Sequence, residues 1–121
     1  MSKTILTVDD SPSIRRMISM TLQDAGYRVI EAVDGKDGLE KATTQTVDAI
    51  ITDQNMPNLD GLGMIRALRQ HPMGRGVPIV VLSTDGEEGL KAQAREAGAL
   101  GWMMKPFTQD KLLAVVKKVL G

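Results

Sequence analysis

The segment Ile5-Leu6-Thr7-Val8-Asp9-Asp10-Ser11-Pro12 joins a short apolar run to two neighbouring carboxylates. An aliphatic and β-branched run of this length, ended by Asp-Asp-Ser-Pro, predicts a buried strand that is followed at once by a helix. Two adjacent carboxylates at the end of a buried strand repel each other and lose hydration. A fold tolerates them mainly where a cation or a proton relieves the repulsion. The segment therefore predicts both an element boundary and a charged site.

A third carboxylate occupies an equivalent place later in the chain, where Asp53 ends the run Val47-Asp48-Ala49-Ile50-Ile51-Thr52. If both strands belong to one parallel sheet, Asp9, Asp10 and Asp53 meet at its carboxyl edge. Three carboxylate groups in one place indicate a site for a hard divalent cation, most simply Mg²⁺. Each residue also has an ordinary interpretation: the adjacent aspartates as a helix cap with a solvated neighbour, and Asp53 as a turn former.

Composition restricts the class of protein. The chain has 121 residues, 15 basic and 15 acidic side chains, and no cysteine. We expect one domain over residues 1–121, because this length supports a single core. The charge balance provides no general attraction to nucleic acid or an anionic membrane, and no apolar stretch approaches about 18 residues. The absence of cysteine excludes disulfides and thiolate metal sites. We expect a cytoplasmic protein and a monomer.

Strand and helix patterns alternate five times along the chain. The predicted strands are Thr4–Val8, Arg28–Glu31, Ala49–Thr52, Pro78–Leu82 and Leu100–Met104, and most are continuous apolar runs, as in a sheet covered on both faces. Amphipathic helices are predicted between them, beginning near Pro12, Asp34, Asp60, Gly86 and Thr108. This alternation predicts a doubly wound α/β fold with a five-stranded parallel sheet and helices on both faces.

The helix predicted between Gly86 and Gly98 has a weak apolar face. It offers Leu90 and several alanines inward, with charged residues outside. Such a face buries little area at about 25 cal/mol per Å². We expect this helix either to be the most easily displaced element or to pack closely through its small residues; the sequence leaves both open.

Other polar residues also stand at predicted strand ends: Ser83 and Thr84 after the fourth strand, and Lys105 after the fifth. Ligands of open α/β sheets bind outside the carboxyl ends of the strands. Taken alone, Ser83 is more typical of a local backbone contact and Lys105 of a surface lysine. Together with Asp53, they supply a carboxylate nucleophile for phosphorus, an ammonium and a hydroxyl for the equatorial oxygens.

At this point the chain resembles the receiver domain of two-component response regulators, and in particular the stand-alone CheY-like receivers of chemotaxis. The resemblance covers the whole chain. It is carried by Val8-Asp9-Asp10-Ser11, Asp53 with Met56-Pro57 and Asp60-Gly61, Leu82-Ser83, and Lys105-Pro106-Phe107. It implies a flavodoxin-like fold with the strand order 2-1-3-4-5. It also implies a signalling protein that accepts a phosphoryl group on Asp53 from the phosphohistidine of a histidine kinase.

The resemblance assigns further roles. Mg²⁺ would be bound by Asp10, Asp53 and the backbone carbonyl of Asn55, with Asp9 acting through water. Ser83 and Lys105 would contact the phosphoryl oxygens. The peptide bond between Lys105 and Pro106 would be cis. An output protein would bind the activated form, a flagellar switch protein being one candidate, and a phosphatase is a further candidate partner.

Residues that tune or report the switch follow from the same resemblance. Ser83 and Trp102 would change position on activation; the alternative for Trp102 is a fixed aromatic at the sheet edge. Asn55, Thr84 and Asp85 would govern access to the site. Thr84 stands where the family commonly has a smaller residue, and we expect it to narrow access for water or a phosphatase. The acidic segment that starts at Asp85 argues against binding to a flagellar switch.

Two other classes of protein compete with this interpretation. An aspartyl-nucleophile phosphatase of the haloacid dehalogenase type needs a second acid two residues after the nucleophile, where this chain has Asn55. A flavodoxin-like cofactor carrier needs phosphate-binding donors after the first strand, where Asp9 and Asp10 would repel a phosphate. We therefore expect a signalling module rather than a dedicated enzyme. A phosphate sink, or a receiver outside chemotaxis, remains an open alternative.

Overall fold

Five parallel strands form one sheet in the order β2-β1-β3-β4-β5 in the computed structural model, which describes residues 2–84 and 88–120. The strands are β1 Thr4–Val8, β2 Arg28–Ala32, β3 Ala49–Asp53, β4 Ile79–Ser83 and β5 Gly101–Met104. The parallel sheet and its order confirm the predicted doubly wound fold. The three central strands β1, β3 and β4 are almost entirely buried, which explains their continuous apolar runs.

Five α-helices connect and follow the strands: α1 Pro12–Asp24, α2 Gly35–Thr44, α3 Gly61–Arg69, α4 Glu88–Ala97 and α5 Gln109–Leu120. A short 3₁₀ turn, Pro72–Gly74, which the sequence patterns did not predict, precedes β4. Three of the predicted helix starts carry the side-chain caps given next, whereas the start predicted near Gly86 lies outside the described residues. The Asp34 carboxylate accepts from the Asp37 N–H at 2.8 Å, Asp60 accepts from the Gly63 N–H at 2.8 Å, and the Thr108 hydroxyl accepts from the Lys111 N–H at 3.1 Å.

The sheet separates two apolar clusters. On one face, Leu6, Ile50 and Val81 of the strands pack with residues of α2, α3 and α4. On the other face, Ile5 and Val80 belong to the cluster that contains residues of α1 and α5. Neighbouring strand residues alternate between the clusters because successive side chains point to opposite faces of a sheet. The carboxyl edge of the sheet is thus left to the loops.

Five strand boundaries, in four of the strands, differ from the predicted ones by one residue each. β3 continues to Asp53 and β4 to Ser83, since Asp53 is in register with Leu82 and Ser83 with Met104. β4 begins at Ile79 rather than Pro78, because proline has no N–H to donate to a ladder. β2 extends to Ala32, and β5 begins at Gly101 rather than Leu100.

Helix α4 has the fewest buried residues of the five helices: among its described residues only Ala94 is buried. Leu90 is half-buried and packs against the apolar cluster on the side of the sheet that α2 and α3 cover. The helix is fastened at its C-terminal end, where the Arg69 guanidinium of α3 donates to the Gly98 carbonyl at 2.6 Å and also to the Gly74 carbonyl. Gly98 has φ +114°, and a Cβ there would lie 2.6 Å from Arg69 Nε.

Candidate functional site

Three carboxylates converge at the carboxyl edge of the sheet, as the sequence predicted. Val8 of β1 is in register with Thr52 of β3, so Asp9 and Asp53 leave the two central strands side by side. The structure brings Asp9, Asp10 and Asp53 together: one carboxylate oxygen from each lies within 4.8 Å of the other two. Asp9 and Asp53 are buried, whereas Asp10 is exposed. The cluster is open to solvent on the Asp10 side.

Asp9 is held firmly at both backbone and side chain. Its N–H donates to the Ala32 carbonyl at 3.1 Å. Its carboxylate accepts from the Ser11 N–H at 2.9 Å and from Lys105 Nζ at 3.3 Å. With 1% of its surface exposed, this carboxylate depends on these donors in place of water.

Asp53 presents its two oxygens differently. Oδ1 accepts from the Gln54 N–H at 2.9 Å and lies 3.2 Å from Lys105 Nζ. Among residues 2–84 and 88–120, no hydrogen bond to Oδ2 is recorded. Burial raises the pKa of Asp53, the Lys105 ammonium lowers it, and the Asp9 carboxylate raises it again. The balance is a raised pKa, so the ionised form of Asp53 is under electrostatic stress that a cation would relieve.

Lys105 places one ammonium between two carboxylates. Its Nζ lies 3.3 Å from Asp9 and 3.2 Å from Asp53, and its side chain is only 16% exposed. The Lys105 N–H donates to the Ser83 carbonyl at 2.9 Å, which continues the β4–β5 pairing beyond the strand. The Lys105–Pro106 peptide bond is cis, as the resemblance implies.

The remaining predicted site residues stand around this edge. Ser83 is fully buried at the end of β4, and Thr84 follows it as an exposed residue. Asn55 is exposed in the loop after β3. Asp85, predicted to govern access, lies outside the described residues, as does the acidic segment's Glu87. Trp102 is half-buried in β5 and packs against the α2–α3 face of the core, with its indole Nε1 inaccessible to water.

Two residues at the site were missed by the sequence patterns, and the first is Gln54. Its side-chain amide is buried: Oε1 accepts from the Leu62 N–H at 2.9 Å and Nε2 donates to Asp60 at 3.3 Å. Gly61 permits this approach, since a Cβ there would lie 2.6 Å from the Asp53 carbonyl oxygen. Gln54 thereby ties the loop after Asp53 to the start of α3.

The second missed residue is Arg15 of α1. Its guanidinium donates to the Asp9 carbonyl at 2.7 Å and to the Glu31 carboxylate at 3.0 Å. Neither Gln54 nor Arg15 belongs to a periodic pattern or a recognisable motif, so only the tertiary contacts reveal them.

Comparison with known proteins gives consistent matches. The family model described as the response regulator receiver domain matches residues 5–117. The chain is 40% identical, over 99% of its length, to the alkaline phosphatase synthesis transcriptional regulatory protein PhoP of Bacillus subtilis, and it spans 49% of that relative. The solved structure of chemotaxis response regulator CheY4 of Vibrio cholerae has 41% identity and a TM-score of 0.94, with 98% of this chain and 99% of that one covered.

A third match concerns the metal. The receiver domain of the sensor histidine kinase PA1611 from Pseudomonas aeruginosa, solved with a magnesium ion coordinated in its active-site cleft, is 32% identical with a TM-score of 0.92. The superposition covers 100% of this chain and 99% of that one. No helix in the part of the chain that the structure describes is long and apolar enough to cross a membrane. The family match and the sheet with its acidic edge agree: this chain belongs to the response regulator receiver domain family of two-component signalling.

Proposed function

We propose that this receiver domain accepts a phosphoryl group on Asp53 from the phosphohistidine of a histidine kinase, and that the modification changes partner binding. One observation carries the proposal: Oδ1 of Asp53 is held by the Gln54 N–H and Lys105, while Oδ2 has no recorded hydrogen bond among the described residues. A carboxylate fixed by one oxygen presents the other as a nucleophile in a defined direction.

The transfer needs little beyond position and charge. Oδ2 of Asp53 forms a bond to phosphorus while the phosphorus–nitrogen bond of the donor breaks, and the electron pair returns to the imidazole, which takes up a proton. Lys105 Nζ is already within 3.3 Å of both buried carboxylates, so it is placed to neutralise charge on a phosphoryl oxygen. Ser83, at the end of the neighbouring strand, would contact another oxygen.

Mg²⁺ fits the donor set. Asp9, Asp10 and Asp53 offer only carboxylate oxygens within 4.8 Å of one another, and hard cations prefer such ligands. We infer that Asp10, Asp53 and the Asn55 carbonyl hold the ion, with Asp9 acting through water. When bound, the ion would supply positive charge next to the transferred group. The magnesium ion in the PA1611 receiver domain supports this assignment.

We further propose that the domain is a signalling module and not a dedicated phosphatase. A phosphatase using an aspartyl nucleophile requires an acid to protonate the leaving group. Asn55, two residues after Asp53, has no proton of suitable acidity to donate. Self-catalysed phosphorylation and slow hydrolysis are the activities that the described groups support.

The pathway is proposed to be chemotaxis, on the similarity to CheY4 of Vibrio cholerae. PhoP is almost equally similar in sequence, although this chain spans about half of its length. A phosphate sink, or a receiver in another pathway, is the alternative. Phosphotransfer profiling against the histidine kinases of the source organism separates these cases by showing which kinase is preferred. The preferred kinase then leads to the output partner, whether a flagellar switch or another protein.

Acyl-phosphate formation tests the central proposal directly. The protein would be incubated with acetyl phosphate and Mg²⁺, and its intact mass followed. We expect the mass of one added phosphoryl group, removed by hydroxylamine because an acyl phosphate is labile to it, and no addition in EDTA. A protein that stays unmodified under conditions where Mg²⁺ binds would refute the proposal.

Asp10→Ala should weaken Mg²⁺ binding at least about tenfold, because it removes one of the proposed ligands. Stability without metal should change little, since Asp10 is exposed and its charge is solvated. Calorimetric titration gives the affinity, and thermal unfolding in EDTA gives the stability. Equal Mg²⁺ affinity in the variant would remove Asp10 from the site.

Trp102 should report activation through its fluorescence, and it is the only tryptophan of the chain. In the structure its indole Nε1 is already shielded from water, and the residue packs against the apolar cluster that includes Leu90 and Ala94 of α4. We expect beryllofluoride with Mg²⁺, a stable phosphoryl mimic, to change the emission maximum or the acrylamide quenching. Bound beryllofluoride with unchanged quenching would identify Trp102 as a fixed aromatic.

A further inference from the structure

The guanidinium of Arg15 touches the backbone of the acidic cluster and also reaches solvent. Nη1 donates to the Asp9 carbonyl at 2.7 Å, and Nε donates to the Glu31 carboxylate at 3.0 Å. The Arg15 side chain is 16% exposed and that of Glu31 46% exposed. Arg15 is therefore fixed at two points, one inside the site and one outside. A planar guanidinium holds such a two-point geometry better than an ammonium does.

The carbonyl that Arg15 holds belongs to the peptide unit between Asp9 and Asp10. Because a peptide unit is planar, the direction of this carbonyl determines where the Cα of Asp10 lies. Asp9 also contacts the Ala32 carbonyl, the Ser11 N–H and Lys105. On the other side of Asp10, Ser11 accepts from the N–H groups of Ile14 and Arg15 at the start of α1. For the Asp10 carboxylate, no hydrogen bond is recorded within the described ranges 2–84 and 88–120.

We propose that Arg15 is a positioning residue for the divalent-cation site: by holding the Asp9 carbonyl it directs the Asp10 carboxylate into the cluster. The inference rests on the proposed function, since it assumes that Mg²⁺ binds to these carboxylates. The proposal predicts the opposite change in Mg²⁺ affinity from the one that charge repulsion alone predicts. A positive charge beside a cation site repels the cation, so removal of Arg15 should tighten Mg²⁺ binding if charge alone matters.

The direction in which Mg²⁺ affinity changes when Arg15 is removed therefore tests the proposal. Mg²⁺ affinity would be measured by calorimetric titration of metal-free protein, which needs no phosphorylation. We expect Arg15→Ala to bind Mg²⁺ about tenfold more weakly, the lower end of the loss seen when a hydrogen-bond partner of a metal ligand is removed. Equal or tighter binding in Arg15→Ala would overturn the proposal.

Arg16→Ala is the matched control. Arg16 is the exposed neighbour, so its removal costs the same charge without loss of the Asp9 contact. Its Mg²⁺ affinity should equal that of the unmodified protein or exceed it slightly. Weakening as large as that of Arg15→Ala would overturn the proposal, because the effect would then not depend on the Asp9 carbonyl.

Arg15→Lys keeps the charge and the aliphatic stem but loses the planar two-point geometry. We expect Arg15→Lys to bind Mg²⁺ more weakly than the unmodified protein does. The loss of affinity should be smaller than in Arg15→Ala. If Arg15→Ala does not fold, this variant decides, and an unchanged affinity in it would overturn the proposal. Thermal unfolding in EDTA separates an effect of Arg15 on the metal site from an effect on the stability of the fold. A purely structural role lowers stability without altering the Mg²⁺ affinity of the folded protein.

Failure of this inference is distinguishable from failure of the proposed function. If neither the unmodified protein nor Arg16→Ala binds Mg²⁺, the metal assignment fails and this inference with it. If both bind and the two Arg15 variants bind equally well, only the role of Arg15 is refuted.

Discussion

Asp53→Asn should abolish acyl-phosphate formation while leaving the fold intact. An amide cannot form the acyl phosphate that a carboxylate oxygen forms, and asparagine keeps the size of the side chain. Incubation with acetyl phosphate and Mg²⁺, followed by intact mass, should show no phosphoryl addition. Asp24→Asn, the same chemical change at the exposed end of α1, should be modified like the unmodified protein. Undiminished modification of Asp53→Asn would assign the phosphoryl group to another residue.

The same variant should be more stable than the unmodified protein at neutral pH without metal. The raised pKa of Asp53 means that the folded state holds its proton more tightly than the unfolded state does. Stability is therefore lost as the pH rises from about 3.8 through the raised pKa, and it stays lower above that pKa. Asparagine escapes this loss and leaves Lys105 paired with Asp9 at 3.3 Å.

We expect a gain on the order of 1 kcal/mol in the free energy of unfolding, about 4 °C in Tm. Thermal unfolding in EDTA at several pH values checks it. The difference between the two proteins should shrink as the pH falls through the raised pKa of Asp53 and vanish below about 3.8, where the carboxyl becomes protonated in both the folded and the unfolded state. A difference that is constant over this pH range would mean that the Asp53 charge is not its cause.

Lys105→Met should destabilise the metal-free protein strongly. It removes an ammonium that lies within 3.3 Å of both Asp9 and Asp53 and leaves two buried carboxylates facing each other. Loss of one partner of a buried ion pair costs about 3–5 kcal/mol. Because Lys105 retains 16% exposure, we expect the lower part of that range, roughly 10 °C in Tm.

Two further measurements identify the cause of that destabilisation. Mg²⁺ should restore part of the lost stability, because the cation replaces the missing positive charge. Acidic pH should also reduce the deficit, because protonation of the carboxylates removes their repulsion. Lys111→Met, the same substitution at an exposed position of α5, should leave stability nearly unchanged. A Lys105→Met protein as stable in EDTA as the unmodified one would contradict the clustered-charge description of the site.

The sequence predicts the sheet well because burial on both faces produces continuous apolar runs. β1 is predicted to the residue. β2, β3 and β5 differ from the prediction by one residue at one end, and β4 differs by one residue at both ends. The extensions arise where a backbone pairing, such as Asp53 with Leu82, continues a strand beyond its apolar stretch, whereas the later start of β4 reflects the missing N–H of Pro78. The clustering of Asp9, Asp10 and Asp53 is also predictable, because carboxyl ends of neighbouring parallel strands must lie close together.

The distribution of roles within the site is less predictable. Adjacent aspartates look equivalent in the sequence, yet Asp9 is buried against Lys105 and Asp10 faces solvent. Gln54 and Arg15 are single polar residues whose functions depend on the partners they meet, eight and six residues away along the chain. Patterns of apolar spacing carry no information about such contacts, since one hydrogen bond leaves no periodic signal.

The Arg69 contact with Gly98 has a consequence for how α4 opens. A helix that is fastened at one end should unfold locally from the other, and amide hydrogen exchange measures such opening residue by residue. Protection should therefore rise along α4 from Glu88 toward Ala97. Arg69→Ala should flatten this gradient by increasing exchange in the last turn. The C-terminal end of α4 would then be the fixed point about which any signal-dependent displacement of this helix is measured.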